Sequence, residues 1–152
     1  MRLTSFTDYT LRVLIYLGAQ RSESRLATIG DIAAAYGISE NHLMKVVHNL
    51  ARQGYIDTTR GKGGGMRLAR APREINLGGV IRSAEEDFAL VECFQTGNRN
   101  CSIYDACRLR SVLAKAMDAF LAVLDAQTLE DLMGPKPEML KAFGERTTLR
   151  KK

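Results

Sequence analysis

The chain has 152 residues, 45% hydrophobic and 26% charged, with 3 Pro and a formal net charge of +5 at pH 7. This composition excludes wholesale disorder and collagen-like structure, and a chain this long buries roughly two thirds of its unfolded surface without disulfide staples. No apolar run approaches the roughly 20 residues of a membrane span. Met1-Arg2-Leu3-Thr4-Ser5 enters a helical pattern with no small-residue cleavage site, so no signal peptide and a cytoplasmic location are expected.

In chain order, the periodicity predicts a first helix over about 6–19. Phe6, Val13, Leu14 and Leu17 share one face, and Leu11, Ile15 and Tyr16 widen it until the helix is mostly buried. Residues 21–25 read as a polar loop. Thr28 followed by Asp31 is a capping-box signature opening a second helix that ends at Tyr36, before Gly37. Ser39 is the expected N-cap of a third helix running to about 53. Its Leu43, Val46, Val47 and Leu50 keep helical spacing, and Gly54 stops it. A short helix, a tight turn with Gly and a longer helix over about 28–53 form the helix-turn-helix pattern.

Residues 55–59 read as a strand, 61–65 as a glycine-rich turn and 66–69 as the return strand. A hairpin directly after a helix-turn-helix is the wing of a winged helix, here over about 55–69. The glycine-rich turn fits neither nucleotide-binding motif. A Walker loop needs Ser or Thr after Lys62, where Gly63 stands, and a dinucleotide fingerprint needs Gly in place of Met66, with a helix to follow. The expected fold is therefore mostly α with a small β-hairpin wing: a winged helix-turn-helix domain plus a long dimerisation helix.

Charge divides along the same lines. Residues 1–75 hold 11 Lys/Arg against 6 Asp/Glu, residues 76–133 hold 5 against 9, and residues 134–152 hold 6 against 2. The run 60–73 contains Arg60, Lys62, Arg67, Arg70 and Arg73 and no acid. A clustered basic wing beside a helix-turn-helix points to a nucleic-acid backbone. Ser39, Asn41, His42 and Lys45, in the N-terminal half of the third helix, are the candidates for base edges and phosphates, with Arg60, Lys62 and Arg67 on the wing.

After Pro72 the pattern gives a short strand near Ile75, a helix over about 77–84, a surface stretch at Glu85, Glu86 and Asp87, and a cysteine-bearing loop. A long helix follows over about 104–126. Leu109, Val112/Leu113, Ala116/Met117, Phe120 and Leu124 recur at three and four, a seam that predicts a homodimer. A last turn at 129–132 precedes an expected mobile basic tail. The organisation is thus 1–75 for DNA, 76–133 for the cysteine loop and dimer helix, and 134–152 for the tail.

Cys93, Cys101 and Cys107 follow a C-x7-C-x5-C spacing. Structural zinc favours paired C-x2–4-C hooks, absent here, and the two histidines, His42 and His48, sit on the third helix. Three thiols in a loop with Gly97 and Asn98 suit an iron–sulphur cluster, which soft sulphur ligands favour. On spacing alone, buried structural cysteines and a redox disulfide stay open as alternatives.

The opening residues 1–12, the helix-turn-helix, the wing Arg60-Gly61-Lys62-Gly63-Gly64-Gly65 and the three-cysteine loop together resemble the nitric-oxide-sensing iron–sulphur repressors of the Rrf-type family of bacterial winged-helix regulators. The resemblance covers about residues 1–133. It implies a homodimer, a palindromic double-stranded DNA operator, nitric oxide as signal, and a cluster (4Fe-4S or 2Fe-2S) held by Cys93, Cys101 and Cys107. In relatives of the IscR type a His lies three residues after the last Cys, where this chain has Arg110. The resemblance instead implies Asp8 as fourth ligand, reaching across the dimer, although Ser5-x-x-Asp8 also reads as a capping box. An iron-availability repressor of the RirA type is the alternative within the family, with Asn expected in place of Asp8. An iron–sulphur enzyme or electron carrier is the alternative outside it, and no substrate-type motif favours it.

Overall fold

The computed structural model describes residues 2–20, 26–134 and 136–149. The expected polar loop at 21–25 and the last three residues of the expected tail lie outside the described residues. Helix α1 (Ser5–Ala19) starts one residue earlier than its periodicity predicts, because Thr4 caps it: the Thr4 hydroxyl accepts from the Thr7 amide at 3.3 Å. The expected Ser5/Asp8 capping box is therefore not formed. Ser5 is already helical, which places Asp8 one residue beyond the position that returns a bond to the cap. That bond comes from elsewhere in the chain, since the Thr4 amide donates to Glu85 Oε1 at 2.7 Å and the Thr4 hydroxyl donates to the same oxygen at 3.1 Å.

Helix α2 (Ile29–Tyr36) has the predicted reciprocal cap, with the Asp31 amide 3.1 Å from Thr28 Oγ1 and the Thr28 amide 2.9 Å from Asp31 Oδ2. After Gly37, helix α3 (Glu40–Arg52) runs as expected from Ser39 at its N-cap. Val13, Leu14, Ile32, Leu43, Val46 and Leu50 from the three helices form one core with Ile56 and Met66 from the hairpin. Burying a large aliphatic side chain contributes about 1.5–3 kcal/mol, so this shared core fixes how the three helices cross.

Strands β1 (Ile56–Thr59) and β2 (Gly65–Leu68) form an antiparallel hairpin with Asp57 opposite Arg67 and Thr58 opposite Met66. The wing is anchored along β2, where Ala27 and Met66 exchange both backbone bonds, at 3.0 and 2.7 Å. At its tip Gly61 and Gly63 have φ of +96° and +80°, a region that L side chains avoid, so the turn needs glycine at both.

The strand expected near Ile75 is absent. Pro72–Glu74 is a single 3-10 turn, and the extended stretch shrinks to one bridge between Asn76 and Thr128. Two local features account for this. Pro72 lacks an amide donor, and the Asn76 side chain is taken up as the cap of α4 (Leu77–Ala84), accepting from the Gly79 amide at 2.9 Å. Helix α5 (Arg108–Asp125) begins four residues later than predicted, after a separate 3-10 turn at Tyr104–Ala106 and an extended Cys107. Its far end is tied to α4 by a two-point pair, with Arg82 donating to Asp125 at 2.5 and 2.7 Å. That hydrogen bonding holds the Asp125 carboxyl below its ordinary range.

The predicted seam of α5 resolves into two stripes. Leu113, Met117, Phe120 and Leu124 are buried or half-buried, whereas Leu109, Val112, Ala116, Ala119 and Val123 are exposed. The latter recur at three, four, three and four, the pattern of a coiled-coil seam. Leu109, Val112 and Val123 are 63%, 61% and 66% exposed, far above a core residue. The expected tail is also different in form: Lys136–Leu149 is a helix, α6, packed against α1 and α2. Its Phe143 ring lies 5.1 Å from Tyr16 and 5.3 Å from Tyr36, an aromatic anchor that charge patterning did not reveal.

Candidate functional site

Helix α3 is strongly two-sided. Leu43, Val46, Val47 and Leu50 are buried, while Asn41, His42, Met44, Lys45, His48 and Arg52 are exposed. Ser39 stands at the N-cap, yet its side chain makes no capping bond, which leaves the hydroxyl for an outside partner. His42 is turned toward α1, its ring centroid 6.1 Å from that of Tyr9. The outermost stripe is Asn41, Met44/Lys45, His48 and Arg52, at helical spacing. Counting residues from the buried Leu43 would have found Met44 and His48; composition drew attention to charge instead.

On the wing Arg60 and Lys62 are exposed at the glycine turn, where the backbone carries no side-chain bulk beside them. Arg67 is less free, since its Nε lies 3.8 Å from Asp57 Oδ2 across the hairpin. Cations at a narrow hairpin tip can approach a phosphate backbone closely, and they do so without reading sequence.

Asp8 faces a cation of its own helix. Arg12 donates from Nε to Oδ1 at 3.0 Å, and a second guanidinium nitrogen lies 2.9 Å from Oδ2. The Arg12 guanidinium also sits 5.6 Å from the centre of the Tyr36 ring. Tyr36 ends α2 and immediately precedes the helix-turn-helix turn, and burial pushes its phenol up to about 12. Sequence spacing carried no sign of this chain of contacts, because Arg12 and Tyr36 meet only through the packing of α1 on α2.

The cysteine segment contains only short 3-10 turns. Cys93 lies half-buried in the turn Glu92–Phe94, Cys101 is exposed, and Cys107 is half-buried at the N-cap of α5. All three are free thiols and none belongs to the buried core. Cys107 adjoins the unpaired amides at the start of α5. Cys93, Arg99, Tyr104 and Arg110 border an open cavity of about 1030 Å³. There the Tyr104 ring has Arg99 at 5.4 Å and Arg110 at 4.4 Å.

Among the described residues no three His, Cys, Asp or Glu side chains converge as a metal-binding group. The structure thus brings the three thiols onto one loop without closing them around a point, and it leaves Asp8 with Arg12. In chemical type the donors fit an iron–sulphur cluster: three soft sulphur ligands, unpaired, on a segment with few regular hydrogen bonds to restrain it. The segment begins at Glu85, which accepts from the amide and hydroxyl of Thr4, the N-cap of α1, so one carboxylate links the cysteine loop to the helix bearing Asp8.

The Rrf2 family, described as iron-dependent transcriptional regulators, matches residues 3–135. The HTH-type transcriptional regulator NsrR of Bacillus subtilis is 50% identical over 141 residues, covering 93% of this chain and 96% of that one. Among solved structures, CymR, the global cysteine regulator of B. subtilis, superposes with a TM-score of 0.70 at 28% identity, covering 87% of this chain and 95% of that one. IscR of T. potens superposes with a TM-score of 0.68 at 26% identity, covering 88% and 86%. The winged-helix fold and the DNA-binding role expected from the sequence agree with these relatives. No helix among the described residues is long and apolar enough to cross a membrane.

Proposed function

Because the chain belongs to the Rrf2 family of iron-dependent transcriptional regulators, we propose that it is a homodimeric repressor of palindromic operators whose DNA affinity is set by an iron–sulphur cluster reactive toward nitric oxide. The observation that carries the reading is three free thiols on one loop whose first residue, Glu85, accepts from Thr4, the N-cap of the helix that holds Asp8. Cys93, Cys101 and Cys107 would hold the cluster, with Asp8 supplied across the dimer as an oxygen ligand. When bound, the cluster supplies iron with affinity for nitric oxide.

The protein's own residues give the control a route. Asp8 has two uses, as partner of Arg12 or as ligand, and a carboxylate cannot serve both fully. In its Arg12-paired state the guanidinium stands between Asp8 and Tyr36, at the turn that aims α3. A change in what Asp8 binds therefore gives the two states different contacts at the helix-turn-helix, which a population shift requires. In the DNA-bound form, Asn41 and Lys45 of α3 face the major groove while Arg60 and Lys62 hold the backbone. Two half-sites need two such helices at fixed spacing, and the exposed stripe of α5 supplies the joint.

A second reading, an iron-availability repressor, is favoured by the iron-dependent description of the family. The relatives are transcriptional regulators, which removes the enzyme or electron-carrier reading. Anaerobic purification with an absorption spectrum and iron and sulphide counts tests the assignment. The native protein should carry both elements, and Cys93→Ser, Cys101→Ser and Cys107→Ser should each lose them together with specific DNA binding. Full iron and sulphide content in all three variants would refute the ligand set.

A further inference from the structure

Of the six large hydrophobic side chains most exposed among the described residues, five lie between 103 and 132, in the cysteine loop, α5 and the turn after it. The sixth is Met44, 50% exposed on α3. It sits at the centre of the outward stripe, three residues after Asn41 and four before His48, beside Lys45. Every other aliphatic side chain of α3 larger than alanine is buried. Water gains nothing from a thioether there, whereas one ligand does. The floor of a DNA major groove carries donors and acceptors from every base pair, and its one alkyl group is the C5 methyl of thymine, against which an apolar side chain packs. Methionine is unbranched and polarizable, and it adapts to such a small target.

We propose that Met44 is a specificity-determining residue that reads a thymine methyl in each half-site. The inference rests on the assignment of α3 as the groove helix. Its neighbours fit a division of work in which Asn41 hydrogen-bonds a base edge, Lys45 meets a phosphate or guanine, and Met44 supplies the apolar contact between them.

The test uses the full-length protein and a duplex that it selects from a randomised library. Each thymine of one half-site is replaced in turn by uracil, which lacks only the methyl, and affinities are measured for the native protein, Met44→Ala, Met44→Leu and Lys45→Ala. At one position the native protein should lose about fourfold, the worth of one buried methyl. Met44→Ala should bind thymine and uracil alike at that position, with an unchanged salt slope because no phosphate contact is lost, and Met44→Leu should keep most of the discrimination. If every thymine-to-uracil loss is the same in the native protein and Met44→Ala, while Lys45→Ala weakens binding, the methyl contact is refuted and the groove assignment stands. If Lys45→Ala and Met44→Ala both leave affinity and salt slope untouched, the groove assignment falls with it.

Discussion

Asp8 and Arg12 lie one turn apart on α1 and form a two-point ion pair, with contacts of 3.0 and 2.9 Å. Both side chains remain partly exposed, at 45% and 39%, so the pair adds only about 0.3–0.5 kcal/mol to the helix. Its weight is in competition: a cation holding the carboxylate opposes any other use of it. Asp8→Ala should retain less iron than the native protein after challenge with a chelator, and Arg12→Ala should retain as much or more. Iron counts after anaerobic desalting check both. Equal retention in Asp8→Ala and the native protein would remove Asp8 from the ligand set.

On the wing the three basic candidates are not equivalent. Arg60 and Lys62 are exposed at the tip, whereas Arg67 is offset by Asp57. Replacing Arg60 or Lys62 with Ala should weaken binding to all DNA sequences and lower the salt slope by about 1 per lost phosphate contact. Arg67→Ala should change the slope less. Fluorescence anisotropy at several salt concentrations measures each, and unchanged slopes in the two tip variants would take the wing out of the interface.

The two stripes of α5 predict opposite outcomes for one kind of substitution. Val112→Glu places a charge on the exposed stripe and should break a dimer while leaving a folded protomer. A buried unpaired charge costs about 3 kcal/mol or more, so Met117→Glu, on the buried stripe, should unfold the protomer itself. Sedimentation and circular dichroism distinguish the two. A native protein that is monomeric at micromolar concentration would contradict the dimer.

Tyr36 carries the pH prediction. Burial against Tyr16 and Phe143 raises its phenol to about 12 from an ordinary 10.0. The unfolded chain then releases this proton first, so the contribution of Tyr36 is intact below about 10 and is lost as pH rises toward about 12. An absorbance titration of the phenolates should show a late-titrating phenol that is lost in Tyr36→Phe and shifted toward the ordinary value in Phe143→Ala. A phenolate titration in Tyr36→Phe that keeps the full late amplitude of the native protein would contradict the assignment.

The sequence made the helix-turn-helix legible to within a residue or two because its signals are local: Thr28 with Asp31, Gly37, Ser39 and the spacing of Leu43 to Leu50. The wing was legible for the same reason, from alternation around a glycine turn. What the sequence hid depends on partners far along the chain. Glu85 replaces the expected carboxylate at the cap of α1 from 81 residues away. Phe143 turns a basic tail into a docked helix, and the seam of α5 separates into two stripes only once α4 has taken one of them. The three cysteines were conspicuous, but their spacing says nothing of how the loop closes, and Asp8 was visible as a candidate without its guanidinium.

The central claim is that nitric oxide acts through the cysteine loop to change DNA affinity. Its most direct measurement is a titration of the anaerobic, iron-loaded protein with nitric oxide in which cluster absorbance and operator binding are followed in the same samples. The account predicts that the two change together, DNA being released as the cluster absorbance is lost. Loss of the absorbance with DNA affinity unchanged would contradict it, as would release of DNA by an iron chelator but not by nitric oxide.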